Sequence, residues 1–149
     1  MTHIFTATEL AGHTQKALGQ DDPTILQNVV YLAEKLYQNS KEDLKNLSDQ
    51  PWPDRLTDAH FKVHNYGVYD ESIKANLDNL PQDFPLTTIT FRQTIIINQL
   101  LNSLYEQVYK RPVFDIVDYV LNLDEWTKTN QTNTKDLITS TIGKSTTIV

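Results

Sequence analysis

The chain of 149 residues contains no cysteine, one methionine and four glycines. The absence of cysteine excludes disulfides and thiol chemistry, and it leaves His, Asp and Glu as candidate metal ligands. No apolar stretch approaches the roughly 18 residues of a membrane span. The N-terminal "MTHIFTATEL" also lacks the basic start and apolar core of a signal peptide. These absences predict a cytoplasmic protein that makes no membrane contact.

Basic residues are also scarce, with 13 Lys and Arg against 19 Asp and Glu and a net charge of −6. They are scattered along the chain, so no basic cluster is available for a phosphate backbone. This balance argues against nucleic acid as a partner. An acidic surface instead suits a protein partner that presents a basic face.

Hydrophobic periodicity predicts one mainly α-helical domain over residues 1–149, in which five or six helices pack beside a small β element. Short strands are expected near residues 60–66 and 86–90. The expected helices lie near 7–18, 22–39, just after Ser40, between Asp70 and Pro81, from 92 to 110, and from 113 onward. We expect a further turn or two of helix in "TKDLITSTI" and fraying of the tail 141–149.

Few residue patterns suggest chemistry. His60 and His64 are four residues apart, but their segment is expected to be extended, which favours surface histidines over a metal pair. The "GKST" at 143–146 ends like a phosphate-binding loop, yet Ile138 stands where the first glycine of that motif belongs. No glycine-framed serine nucleophile occurs. The sequence therefore predicts a protein without enzymatic activity, catalytic residues, cofactor or metal.

Three motifs occur in a fixed order along the chain. The first, "LQNVVYLAEKLY" at 26–37, carries Leu26, Gln27, Tyr31 and Ala33. The second is Phe61 followed by "NYGVYDESI". The third is "LNSLYEQVYKRPVFDIVDYVLNLDEW", which contains Tyr109 and ends at Trp126.

Through these motifs the chain resembles the Panacea domain, a family of small helical domains found in SocA-like antitoxins and phage-associated proteins. The resemblance covers about residues 5–140. It departs from the family at Val68, where a proline is usual, and at Leu121, where a histidine is usual. The resemblance implies a domain that neutralises a toxin by direct contact, or one that delivers the toxin to a protease.

Six residues are candidates for contact with a protein partner: Trp52, Tyr66, Gly67, Tyr69, Asp118 and Trp126. Loop aromatics are common at binding hot spots, which favours Trp52 about as strongly as packing does. Trp126 suits packing at a helix end better than binding. Gly67 suits a sharp turn ahead of a helix capped by Asp70, a turn that would shape a neighbouring site.

Two functional classes follow from these observations. The first is a protein-binding antitoxin or phage-encoded inhibitor, whose partner is a protein such as a cognate toxin. The alternative is a DNA-binding regulator of its own operon, since antitoxins commonly repress their own promoters. The acidic charge and the scattered Lys and Arg favour the first class.

Overall fold

A computed structural model describes residues 3–123 of the chain. The helices are α1 (Ala7–Leu18), α2 (Pro23–Asn39), α3 (Lys41–Leu47), α4 (Glu71–Ala75), α5 (Phe91–Val108) and α6 (Val113–Leu121), and a 3-10 turn covers Leu77–Asn79. The strands are β1 (His3–Phe5), β2 (Arg55–Thr57), β3 (Lys62–His64) and β4 (Gly67–Tyr69). The predicted fold class, mainly α with a small β element, is confirmed.

Side-chain caps begin the first two helices where the sequence predicts them. Thr6 and Glu9 form a capping box, in which the Glu9 amide donates to Thr6 Oγ1 and the Thr6 amide donates to Glu9 Oε1. Asp22 accepts from the Thr24 amide at 2.9 Å, and Pro23 occupies the first helical position. The starts of α1 and α2 are therefore fixed by local chemistry.

The strands form two separate pairs. β1 and β2 run parallel, with His3 opposite Arg55, whereas β3 and β4 form an antiparallel hairpin, with Val63 opposite Val68. The strand expected near 60–66 is confirmed as β3.

The strand expected at 86–90 is wrong, because those residues lie in no strand. Two physical reasons explain the difference. β3 pairs with β4 across a two-residue turn, which closes a much shorter loop than a pairing with residues 86–90 would. Thr90 is also the N-cap of helix α5. Its Oγ1 accepts from the Gln93 amide at 3.1 Å, and its own amide donates to Gln93 Oε1 at 3.0 Å.

Helix α2 lies at the centre of the core. It packs against α1, α5 and α6 and against strands β2 and β4, and Leu26, Val29, Val30, Tyr31, Ala33 and Tyr37 have no exposed surface. Unusually for a helix, its buried residues also include Gln27, Asn28 and Glu34. Buried polar groups need partners, and those partners organise the strands described below.

Trp126, the predicted helical turn near 134–142 and the tail 141–149 lie outside the described residues. Within residues 3–123, no helix combines the length and apolar character needed to cross a bilayer.

Candidate functional site

The β3–β4 hairpin presents an exposed tyrosine at its tip. Asn65 and Tyr66 form the two-residue turn, and 61% of the Tyr66 surface is exposed. The hairpin lies against α2, whose side chains bind the edge of β4 that does not face β3. Tyr66 is thus displayed by an element that is anchored on the core.

The side-chain carboxamides of two consecutive residues of α2, Gln27 and Asn28, make this anchor. Asn28 Oδ1 accepts from the Val68 amide at 3.0 Å, and Asn28 Nδ2 donates to the Tyr66 carbonyl at 3.1 Å. Gln27 Oε1 accepts from the Asp70 amide at 2.9 Å, and Gln27 Nε2 donates to the Asp70 carbonyl at 3.1 Å. The two side chains take the place of a third strand beside β4, and so leave these backbone groups satisfied without an open edge.

Gly67 is required by both its backbone conformation and its neighbours. Its φ is +99°, a region that residues with a Cβ rarely adopt. A Cβ at this position would overlap the carboxamide of Asn28. Gly67 is also buried, so it shapes the turn beneath Tyr66 and offers a partner little surface of its own.

Asp70 joins the end of the hairpin to the next helix. As the N-cap of α4, its Oδ1 accepts from the Ile73 amide at 3.0 Å and from the Ser72 hydroxyl. Its Oδ2 accepts from the His60 amide at 2.8 Å. The predicted cap is confirmed, and it also connects the segment before β3 with the segment after β4.

A cavity of about 410 Å³ opens beside the hairpin, and we call it the hairpin cavity. Its lining includes the rings of His64, Tyr66 and Tyr69, the apolar Pro23 and Leu77, and the ammonium-bearing Lys74. Its volume lies within the roughly 300–1,000 Å³ that is usual for ligand sites. The cavity therefore combines aromatic surface with one cationic group.

The three rings form a connected cluster. His64 makes edge-to-face contacts with Tyr66, with ring centroids 5.9 Å apart, and with Tyr69, with centroids 4.9 Å apart. Burial, and next the positive charge of Lys74, lower the pKa of His64 from its ordinary 6.5. The imidazole is therefore neutral near pH 7.

The structure brings together only part of the predicted partner-binding set. Tyr66, Gly67 and Tyr69 share the hairpin, and Tyr66 and Tyr69 line the cavity. Trp52 lines a different cavity with Lys41 and Lys45, where its Nε1 donates to the Leu44 carbonyl at 3.0 Å.

Asp118 lies exposed on α6, a helix that packs against β4. Trp126 lies outside the described residues.

A buried carboxylate holds the other sheet, and sequence reasoning missed it. Glu34 has no exposed surface; its Oε1 accepts from the Thr57 amide at 2.9 Å, and its Oε2 accepts from the Leu56 amide at 3.1 Å and from Gln38 Nε2 at 2.7 Å. Burial raises the pKa of Glu34, and these donors together with the charge of Arg55 offset only part of that effect. The sequence signal that could have indicated this anchor is a glutamate within an apolar stretch of a helix expected to be buried.

A second polar cluster links α1 to α5. His13 Nδ1 lies 2.8 Å from the Tyr105 hydroxyl, and Thr14 Oγ1 lies 3.1 Å from the same hydroxyl. Burial lowers the pKa of His13 and raises that of Tyr105. Because these groups satisfy one another, the cluster acts as a buried contact between the two helices.

Within residues 3–123, no three His, Asp or Glu side chains lie close enough together to hold a metal ion. No family model matches the chain, and no curated protein and no solved structure is detectably similar to it.

Proposed function

We propose that the chain is a non-enzymatic protein-binding domain, an antitoxin-like or phage-encoded protein that holds a partner protein against its β3–β4 hairpin. The observation that carries this proposal is the exposed Tyr66, displayed above an aromatic cavity on a hairpin that Gln27 and Asn28 fix to the core.

Rigid display of a tyrosine favours binding. Tyrosine is enriched at the hot spots of protein interfaces, where its large ring buries much surface with few rotatable bonds. Affinity also rises when the contact residues are held in position before binding, because less conformational freedom is lost. Backbone hydrogen bonds to Asn28 on both sides of Gly67 provide this preorganisation.

The resemblance to the Panacea domain supports a toxin as the partner. The motifs that carry it include the α2 residues Gln27 and Tyr31 and the turn at Gly67. Gln27 is part of the hairpin anchor and Gly67 leaves room for the Asn28 carboxamide, so the family pattern and the candidate surface share residues. A toxin that blocks protein synthesis acts in the cytoplasm, and the domain would meet it there.

Charge supports a partner with a basic face. The net charge of −6 would raise the rate of encounter with such a protein, and salt would weaken this effect. The exposed Asp118 lies on α6, and its carboxylate is part of this negative charge.

Co-expression tests the proposal. The full chain is expressed together with the product of the neighbouring gene in a bacterial host, and growth, co-purification and the level of that product are measured. We expect the neighbour to arrest growth alone and the wild-type chain to restore it. A fall in the neighbour's level would indicate delivery to a protease, whereas an unchanged level would indicate neutralisation by contact.

Tyr66→Ala combined with Tyr69→Ala should abolish rescue, whereas Tyr109→Ala should keep it. Tyr109 is a suitable control because it is 53% exposed and lies outside the hairpin cavity. A neighbour that is harmless alone and forms no complex would overturn the proposal. Rescue that survives the double tyrosine change would overturn the hairpin as the contact surface.

A further inference from the structure

Lys74 is a charged group of the hairpin cavity that forms no ion pair with any other residue in the range 3–123. Its Nζ lies 5.8 Å from the centroid of the Tyr69 ring, and among residues 3–123 no carboxylate comes within ion-pairing distance of it. Lys62 on the same hairpin differs, because its Nζ lies 3.8 Å from Glu71 Oε2. As far as residues 3–123 are concerned, Lys74 is therefore available to pair with a group brought by a ligand.

The rest of the cavity wall offers little else to an anion. The other lining side chains are apolar, hydroxyl, amide or ring groups, and the lowered pKa of His64 leaves its ring neutral near pH 7. The first turn of α2 forms part of the wall, but Pro23 has no N–H and the Thr24 amide already donates to Asp22. Lys74 is thus the strongest donor that faces the cavity.

Apolar surface lies beside this cation. Tyr66, Tyr69 and Leu77 line the cavity, and the ammonium of Lys74 lies over the ring face of Tyr69 in a cation–π contact. A ligand that fits must therefore combine an apolar or aromatic group for the rings with a negative group for Lys74.

We propose that the hairpin cavity binds a segment of the partner protein in which an Asp or Glu side chain lies next to an apolar or aromatic side chain. This inference rests on the proposed function and adds the chemistry of the contact. The net charge of −6 repels acidic segments at long range. Recognition of this carboxylate is accordingly local, within an otherwise neutral or basic partner surface.

Peptide selection on the full chain tests the inference. A phage-displayed library of random 12-residue peptides is selected on the immobilised protein at about 0.15 M salt, where the screening length of about 8 Å suppresses long-range repulsion. We expect enrichment of an Asp or Glu beside Phe, Tyr, Trp, Leu or Ile. One enriched peptide is then synthesised, and its affinity for each protein variant is measured by fluorescence anisotropy.

Charge changes at Lys74 should follow a defined pattern. Lys74→Gln should lower the affinity for the peptide about two- to fivefold, as expected for the loss of an accessible ion pair. The matched control Lys62→Gln should leave the affinity unchanged. Lys74→Glu should lower the affinity further than Lys74→Gln. The peptide whose carboxylate residue is replaced by Lys should bind Lys74→Glu more tightly than the wild-type protein.

The outcomes separate this inference from the proposed function. If Tyr66→Ala removes peptide binding but Lys74→Gln behaves like Lys62→Gln, the carboxylate inference is overturned and the hairpin surface stands. If the peptide binds Tyr66→Ala with wild-type affinity, the hairpin surface itself is overturned. A selection that enriches no peptide, or only peptides without Asp and Glu, also overturns the carboxylate inference.

Discussion

At residues 27 and 28 helix α2 binds β4 through neutral amides, whereas two turns later, at residue 34, it binds β2 through a carboxylate. Both anchors satisfy backbone groups within or directly beside a three-residue strand, and both are buried. Amides can donate and accept, so Gln27 and Asn28 bind N–H and C=O groups alike. The carboxylate of Glu34 only accepts, and it accepts from two adjacent strand amides.

The two anchors differ in whether their side chains titrate. The carboxamides of Gln27 and Asn28, which bind the hairpin to α2, carry no titratable group. The β1–β2 pair is held by a carboxylate whose pKa burial has raised. The hydrogen bonds that Gln27 and Asn28 make to the hairpin therefore do not depend on pH, whereas the contribution of Glu34 to stability does.

The largest expected effect is the loss of the carboxylate anchor. Glu34→Ala leaves the buried amides of Leu56 and Thr57 without an acceptor, at about 1–3 kcal/mol for each group. We expect the free energy of unfolding to fall by about 2–6 kcal/mol, measured by urea denaturation. Glu42→Ala on the exposed face of α3 is the control and should change it by no more than about 0.5 kcal/mol. A loss at Glu34 as small as the loss at Glu42 would contradict the anchor.

The amide anchor is tested through Gly67. Gly67→Ala places a Cβ at φ +99° and against the carboxamide of Asn28, so we expect a loss of about 2–4 kcal/mol. Gly19→Ala separates the two causes, because Gly19 has φ +66° but open space around its Cβ position. It should show the backbone strain alone, about 1–2 kcal/mol.

A double-mutant cycle then isolates the overlap. In an Asn28→Ala background the Cβ introduced by Gly67→Ala meets no carboxamide, so the further cost of that substitution should fall by about 1–3 kcal/mol. Equal costs in both backgrounds would show that Asn28 does not restrict this position.

The pH dependence of stability distinguishes the two anchors directly. The pKa of Glu34 is raised above its ordinary 4.5, so just above pH 4.5 the folded protein keeps a proton that the unfolded chain has released. The contribution of Glu34 to the free energy of unfolding therefore falls as pH rises from 4.5 through the raised pKa of the folded state, by at most about 1.4 kcal/mol per pH unit. The free energy of unfolding of the wild type minus that of Glu34→Gln, measured by urea unfolding from pH 4 to 8, should show this decline.

Asn28→Ala serves as the counterpart at the amide anchor. Its free energy of unfolding should be lower than that of the wild type by a constant amount across the same pH range, because no titrating group is removed. Parallel curves for Glu34→Gln and the wild type would show that the pKa of Glu34 is the same in the folded and unfolded states.

Local signals predicted much of the fold. The capping pair Thr6 and Glu9 and the Asp22-Pro23 start place α1 and α2 correctly, and Asp70 was identified as a cap from sequence alone. Gly67 was expected to form the turn ahead of the α4 helix, but the turn is Asn65-Tyr66 and Gly67 begins the unpredicted strand β4, where its positive φ still requires glycine. Each of these features depends on residues within a few positions of one another, which periodicity and capping patterns describe well.

The two anchors and the β1–β2 pair could not be predicted from such local patterns. Glu34 meets β2 more than 20 residues away, and Gln27 and Asn28 meet β4 about 40 residues away. A helical pattern records which residues are apolar, but it does not reveal that a polar residue has a distant backbone partner. Strands of three residues likewise carry too little alternation to specify a partner.

The smallest expected effect on stability is at the proposed contact residue. Tyr66 is 61% exposed at a turn, and its anchoring hydrogen bonds come from its backbone, so Tyr66→Ala should change the free energy of unfolding by no more than about 0.5 kcal/mol. Urea denaturation beside the wild type and Tyr109→Ala provides the measurement. Stability that stays constant while partner binding is lost would assign the ring to the interface. A fall in the free energy of unfolding of more than about 2 kcal/mol would instead show that the Tyr66 ring stabilises the hairpin, as Gln27 and Asn28 do.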